Sequence, residues 1–386
     1  MLESLASFQS ELADPLGPRI LKAEEASPTL LVLSANSAPS LQQLTDSVVE
    51  YHRSYPECLQ DLAYTLALRR ETLHQRGFVL LGGDHGTVAH VGPAGKPDPS
   101  PPKLAMVFSG QGAQWPQMGL LHIQHDSEFR SDMIAMDAVL QGLRHPPSWS
   151  LHDELAKGPK TTRINEAEIS QPLCTALQLA LVRSLARKGI RPDAVIGHSS
   201  GEVAAGYAAG ILSLPEAITV AYYRGFIMKG MEGRGAMAAI GLGSADVTPF
   251  LIEGGAVVVA AENSPSSTTI SGDVLAVEQV MSAIKEAHPE VLCRKLAIDK
   301  AYHSQHMTSP ASRYLQHLQE DLKEKVTGIP RLAMYSTVFG ALLPSDPIEL
   351  SYWSANLISP VKFSSAAAAL MHDLPGCILM EVGPYA

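Results

Sequence analysis

Apolar and polar positions fall into blocks that predict two groups of strands and helices. Leu30–Ser34 (LLVLS) has the length and composition of a buried strand. Asn36 or Ser37 then caps a helix in which Leu41, Leu44, Val48 and Val49 recur at helical spacing. A second helix is predicted over Leu59–Arg69 and a strand over Gly77–Leu81, which together make a small α+β unit. Met1–Thr29 is polar, with Pro and Gly, and reads as an N-terminal linker. Gly82–Lys103 is Gly- and Pro-rich and reads as a connector, the plainest boundary in the chain. Beyond it, Leu104–Phe108 (LAMVF) predicts a strand running into Ser109-Gly110-Gln111-Gly112. Ile169–Lys188 is a long helix, with Leu173, Leu177, Ala180, Leu181 and Leu185 on one face. Pro192–Gly197 predicts a strand that enters His198-Ser199-Ser200-Gly201-Glu202 and then a helix of small residues. Such alternation predicts a parallel α/β core. Across Ala236–Asp299 the order becomes βαββαβ, the pattern of a ferredoxin-like unit, placed here as an inserted subdomain.

Composition removes several function classes. Hydrophobic residues make up 46% of 386 and charged residues 18%, so the chain is rich in core-forming residues and poor in disorder-promoting ones. The formal charge of -10 argues against nucleic acid as a partner. Apolar runs such as Ala256–Ala261 are far shorter than the ~20 residues that span a bilayer, so no membrane partner is expected. The N-terminus has no apolar core of a secretory signal. Four scattered cysteines, with no CxxC pair, argue against a disulfide framework or a metal site and fit a reducing, cytoplasmic setting.

The sharpest chemical signal is Gly197-His198-Ser199-Ser200-Gly201. On a strand-turn-helix, G-x-S-x-G makes a sharp turn that exposes the serine hydroxyl at a helix N-terminus. A hydroxyl nucleophile needs a base. His303 and His306, in Ala301-Tyr302-His303-Ser304-Gln305-His306, are equal candidates on composition. The glycine-rich corner after the first core strand nominates the backbone N–H of Gln111, with that of Ser200, for an oxyanion hole. Arg224, in an otherwise apolar helical stretch, is either half of an internal ion pair or a fork for a substrate carboxylate.

Seven motifs occur together: FSGQGAQW (Phe108–Trp115), GHSSGEVAAGYAAG (Gly197–Gly210), YYRG (Tyr222–Gly225), ENSPSSTTISG (Glu262–Gly272), KAYHSQHM (Lys300–Met307), YWSANLISPVKF (Tyr352–Phe363) and EVGP (Glu381–Pro384). In content and order they resemble the malonyl-CoA:acyl carrier protein transacylase family. Within it, the chain resembles the acyltransferase domain of type I iterative polyketide synthases, in particular the fungal highly reducing ones. LLVLSANS…LQDLAYTLALRR resembles the linker that joins ketosynthase and acyltransferase in such synthases.

The resemblance implies an α/β-hydrolase-like core over 104–386, with the ferredoxin-like subdomain at about 236–299, preceded by an α+β linker domain over 30–103 and the linker 1–29. It implies Ser199 as acylated nucleophile, His303 as base, and Gln111 and Ser200 as oxyanion donors. Arg224 would bind the malonyl carboxylate. It implies a backbone carbonyl after the tryptophan region that orients the histidine, a position Asn356 matches. His198 would support the nucleophile, Asn263 would line the cleft, and Tyr302 before the histidine goes with malonyl over methylmalonyl. Lys300 stands where the common bacterial malonyl form has a histidine. No bound cofactor is implied. The substrates are malonyl-CoA and the phosphopantetheine arm of an acyl carrier protein, and neighbouring synthase domains are partners. The chain therefore reads as a segment of a larger synthase. Its acidity predicts carrier docking through a local Lys/Arg cluster or through tethering. An α/β-hydrolase-type serine hydrolase or thioesterase, with Asp273 or Asp299 as third member, and a non-catalytic scaffold domain are the rival readings.

Overall fold

The computed structural model describes residues 28–81, 88–91, 102–231, 233, 235–251, 254–322 and 328–384. The N-terminal linker expected over 1–29 lies, but for its last two residues, outside them. The chain divides into two compact units at residue 101.

In the first unit, strand β1 (Thr29–Ala35) leads into helix α1 (Ala38–Ser54) and helix α2 (Leu59–Leu68). Strands β2 (Gln75–Leu81) and β3 (Val88–Val91) complete an antiparallel sheet in the order β1-β2-β3. Of the two expected caps, Ser37 accepts the hydrogen bond, from the backbone N–H of Ser40. Leu31, Leu33, Leu41, Val48, Leu62, Val79 and Leu81 form the core. Strand β3 falls inside the stretch expected to be connector. Four residues flanked by Gly and Pro carry little local signal, and pairing with β2 makes them a strand.

The second unit begins with strand β4 (Leu104–Phe108). The long helix α3 (Ala167–Arg187), strand β5 (Ala194–Gly197), helix α4 (Glu202–Ala208) and helix α5 (Leu214–Phe226) follow. Then come β6 (Gly235–Ile240), β7 (Val257–Ser264), β8 (Ser267–Asp273), helix α6 (Val274–Ala287) and β9 (Cys293–Lys295). The chain continues through helix α7 (Thr308–Leu322), β10 (Ala333–Ser336), β11 (Ala341–Leu342), helix α8 (Leu350–Ile358), helix α9 (Phe363–Asp373) and β12 (Ile378–Val382).

Two sheets organise this unit. The first has the order β11-β10-β5-β4-β12, with β10, β5, β4 and β12 parallel and β11 an antiparallel edge. The second is antiparallel, in the order β7-β8-β6-β9. Two expectations within it were too long. The helix expected after β6 is one turn, Ser244–Val247, followed by a 3-10 turn over Thr248–Phe250, where Pro249 lacks the N–H to continue it. The strand expected over 290–299 pairs with β6 only at Cys293–Lys295. The sheets are stitched together by the segment after α8. Val361 N–H donates to Ala260 O and Glu262 N–H to Val361 O, both at 2.8 Å, and Lys362 N–H donates to Thr337 O at 2.7 Å. That segment passes directly by the chemically active groups. Among the described residues no helix is long and apolar enough to cross a membrane.

Candidate active site

The turn between β5 and α4 is built by close backbone approach. A Cβ on Gly201 would lie 2.3 Å from Phe108 O, and one on Gly197 2.4 Å from Glu202 N, so neither position admits a side chain without movement. The turn holds Ser199 at a φ of 53°, and the segment before α7 holds His303 at 58°. Non-glycine residues rarely adopt the left-handed region, and its cost is tolerated where geometry is needed.

These two strained residues meet. Ser199 Oγ lies 2.7 Å from His303 Nε2, and His303 Nδ1 lies 2.8 Å from Ser359 O. A carbonyl only accepts, so Nδ1 carries the proton and Nε2 presents its lone pair to the serine. His303 is buried. Burial, and then the nearby Arg224 charge, pull its pKa down to about 3. The imidazole is therefore neutral at physiological pH. His306, the other candidate, instead lies 2.8 Å from Asp273 Oδ1. Asp299 holds Lys300 at 2.9 Å, so neither aspartate is the partner of His303 Nδ1.

Ser359, not Asn356, supplies the orienting carbonyl. Ala355 O accepts from Ser359 N–H and Leu357 O from His303 N–H, whereas Ser359, the extended C-cap of α8, turns its own carbonyl to His303 Nδ1. Asn356 does something else. Its Oδ1 accepts from Arg224 Nη1 at 2.8 Å, and its Nδ2 donates to Ser199 O at 3.2 Å and to Glu202 Oε2 at 2.8 Å. Arg224, on the last turn of α5, is only 2% exposed, and its Nη2 donates to Ser199 Oγ at 3.3 Å. Burial lowers its pKa, opposed by the phenols of Tyr314 and Tyr302 and by Glu202. A guanidinium nonetheless stays charged in proteins.

Around this centre, Gln111 N–H donates to Ser200 Oγ at 3.1 Å, which brings the corner after β4 against the serine turn. His198 Nε2 lies 2.8 Å from Asn263 Oδ1, and Asn263 Nδ2 donates to Thr269 Oγ1, so the pair ties the turn to the β7-β8 hairpin. Burial lowers the His198 pKa. Tyr302 is buried and, with Gln111, lines a cleft of about 650 Å³ whose other walls include Glu168, Met228, Met231 and Lys300. Elsewhere in the unit His145, His317 and Glu320 place one ligand atom each within 4.8 Å of one another, a grouping the cysteine pattern does not foreshadow.

The depressed His303 pKa makes a prediction. A base with a pKa of about 3 stays unprotonated as pH falls through the ordinary histidine value of about 6.5. The rate of serine acylation should be nearly flat from about pH 8 to about pH 5 and fall only in stronger acid. Removing the Arg224 charge should move that fall to higher pH. Stopped acylation assays across pH test this, and a midpoint near 6.5 in the wild type would contradict it.

The model of the acyl transferase domain family matches residues 105–386. The chain belongs to that family. The N-terminal unit of this acyltransferase matches a second model, CurL-like, PKS C-terminal, over residues 29–83. The chain is 43% identical over 369 residues to the highly reducing polyketide synthase pspA of Penicillium soppii, covering 94% of this chain and 14% of that protein. It is 44% identical over 391 residues to the highly reducing polyketide synthase sphB of Aspergillus fumigatus, covering 100% of this chain and 15% of that protein. It thus spans a small part of these relatives. Among solved structures, the acyltransferase domain from module 8 of the salinomycin polyketide synthase superposes with a TM-score of 0.79. At 24% identity it covers 93% of this chain and 86% of that one, a likeness of fold. A loading acyltransferase from the avermectin modular polyketide synthase is 28% identical with a TM-score of 0.66, covering 73% and 87%. The α/β class expected from the sequence is the fold of this family.

Three participants in the acyltransferase site escaped sequence reading. Glu202 is fully buried beside Asn356, and an acid opening a helix of small apolar residues was the signal for it. Gln171, on α3, donates from Nε2 to Gln111 Oε1 at 3.1 Å and has only its place in a buried helix to mark it. Ser359 acts through its backbone, which leaves no mark in the sequence at all.

Proposed function

We propose that this acyltransferase transfers malonyl from malonyl-CoA to the phosphopantetheine thiol of an acyl carrier protein, through an ester on Ser199, for polyketide chain extension. One observation carries the reading: Ser199 Oγ lies between His303 Nε2 at 2.7 Å and Arg224 Nη2 at 3.3 Å, a base on one side and a cationic fork on the other.

His303 Nε2 takes the Ser199 proton as Oγ attacks the thioester carbonyl. The carbonyl π electrons move onto oxygen, and the oxyanion accepts from the backbone N–H groups of Gln111 and Ser200. In the free site Ser200 Oγ accepts the Gln111 N–H, and the oxyanion takes its place. Collapse expels CoA thiolate, which takes the proton from His303, and leaves the malonyl ester. The carrier thiol then attacks with His303 again as base, and the ester bond breaks to return the proton to Ser199. The malonyl carboxylate is held by Arg224 in charge-assisted hydrogen bonds. No bound cofactor takes part. Tyr302 precedes the histidine, where the family resemblance ties an aromatic residue to malonyl over methylmalonyl, and one methyl in an apolar pocket is worth roughly 1–3 kcal/mol.

The finer architecture belongs to the same reading: an α/β-hydrolase-like core with an inserted ferredoxin-like subdomain. Its support is the parallel β10-β5-β4-β12 arrangement and the antiparallel order β7-β8-β6-β9 of the βαββαβ segment. The hydrolase alternative is disfavoured because His303 Nδ1 faces a backbone carbonyl, while Asp273 and Asp299 are engaged elsewhere.

The test is intact-mass measurement of the chain after exposure to an equimolar mixture of malonyl-, methylmalonyl- and acetyl-CoA. One malonyl group per chain should dominate, persist in buffer, and discharge on addition of a carrier protein bearing its phosphopantetheine arm. Rapid release of free malonate without an acceptor would support the hydrolase instead, and no adduct at all would support the scaffold reading.

A further inference from the structure

Glu202 is the carboxylate nearest in sequence to Ser199, yet it contacts neither Ser199 Oγ nor Arg224. It is fully buried, and its oxygens face the backbone N–H of Thr337, the Tyr352 hydroxyl at 2.7 Å and the Asn356 amide at 2.8 Å, all donors, together with the Thr337 hydroxyl at 3.0 Å, whose one proton is shared with Gly197 O at 3.2 Å. Ser336 Oγ already accepts from the Val338 and Phe339 N–H groups, so at 2.6 Å it donates to the Tyr352 oxygen and leaves the Tyr352 proton to Glu202. Burial raises the Glu202 pKa, and the donors from Tyr352, Thr337 and Asn356 oppose that by holding the charged form.

We propose that Glu202 is a positioning residue that acts through Asn356 to set how Arg224 is presented to the acyl group, and so fixes the preference for carboxyl-bearing donors. The proposal rests on the acyl-enzyme reading above.

Hydrogen-bond polarity sets the orientation of the bridging amide. An amide has one donor end and one acceptor end. Because Glu202 only accepts, Asn356 must turn Nδ2 toward it, and Ser199 O, another pure acceptor, takes the second N–H at 3.2 Å. Oδ1 is then obliged to face Arg224 Nη1, where it accepts at 2.8 Å. One corner of the guanidinium is thereby pinned. Nη2 remains at Ser199 Oγ, and Nε has no hydrogen-bond partner among the described residues, so donors stay available for an anion. Charge follows the same path. A buried cation needs a counter-charge. A carboxylate in direct contact with Arg224 would occupy the donors that a substrate carboxylate requires. Inserting one amide between them keeps the balancing charge close and leaves the fork open.

Substituting Glu202→Gln keeps the shape and reverses one end. The carbonyl oxygen of the new amide still accepts from Thr337, but its NH₂ group then meets Asn356 Nδ2, donor against donor. Asn356 relieves this by turning over, which presents Nδ2 to Arg224 and gives up the bond to Ser199 O.

The experiment uses the full chain and follows acylation by intact mass, with malonyl-CoA and acetyl-CoA titrated separately. In Glu202→Gln the ratio of malonyl to acetyl acylation efficiencies should fall by about 10-fold, the cost of about 1.4 kcal/mol of differential binding, with the loss seen in the malonyl-CoA concentration dependence. Equal loss for both donors in E202Q overturns the proposal. If E202Q lacks a cooperative thermal transition, Asn356→Ala decides by the same ratio, because it cuts the same link: a donor-selective loss supports the proposal and an equal loss overturns it. A wild type that takes up neither acyl group overturns the acyl-enzyme reading itself, and the positioning role with it, a result distinct from loss of selectivity in an active chain.

Discussion

Ser199→Ala will take up no acyl group from malonyl-CoA, and His303→Ala will be slowed to a comparable extent, on the order of 10⁶-fold where nucleophile and base act as one unit. The reason is geometric. Ser199 Oγ has His303 Nε2 at 2.7 Å, and the tautomer that makes Nε2 a proton acceptor is enforced by Ser359 O at 2.8 Å. A serine hydroxyl without a base is a weak nucleophile at neutral pH. His306→Ala is the control that separates the two histidines, because His306 bonds Asp273 on the β8 side. It should acylate within a few-fold of wild type. Intact mass over time, with each variant checked for a cooperative thermal transition, reads all three. An inactive His306→Ala beside an active His303→Ala would overturn the assignment.

Arg224→Ala should lose about 10²–10³-fold in kcat/KM for malonyl-CoA, in line with the ~2–5 kcal/mol cost of truncating one partner of a buried charge pair. Acetyl-CoA has no carboxylate to hold, so its acylation should be retained or rise, and the donor preference should invert. Arg224 is 2% exposed and its Nη2 reaches Ser199 Oγ at 3.3 Å, so the cation sits beside the hydroxyl proposed to carry the acyl group. Competition between the two donors, read by mass, measures the inversion directly. Equal losses with both donors would make Arg224 a structural cation whose removal merely strands Glu202.

Local pattern and tertiary structure contributed differently to these residues. The strand Leu104–Phe108 and the helix near 167–187 were legible because a run of apolar residues or a 3.6-residue period is a property of the segment itself. The serine turn was legible for the same reason: its glycines, serine and flanking strand lie within a few consecutive residues. Strand β3 was not, because four residues become a strand only by pairing with β2. The closing strands β10 and β12 were likewise left without an expectation. Both are short, and their parallel partners β5 and β4 lie far off in the chain.

The site divides along the same line. By itself the sequence determined the residue types and motif order: an exposed serine in a tight turn, histidines downstream, an arginine in an apolar helix, and from these the family. Composition left His303 and His306 equal and only the family resemblance chose His303, since a histidine's role depends on which atoms face its two nitrogens. Only the tertiary structure decided which backbone carbonyl meets His303 Nδ1, where the resemblance implied one at Asn356. The same structure gave that carbonyl to Ser359 and turned Asn356 to join Arg224 to Glu202. The physical reason is that these contacts join the β5–α4 turn, α5, the segment before α7 and the end of α8. Hydrogen-bond direction and buried charge act through space, across chain separations as large as the 157 residues between Ser199 and Asn356.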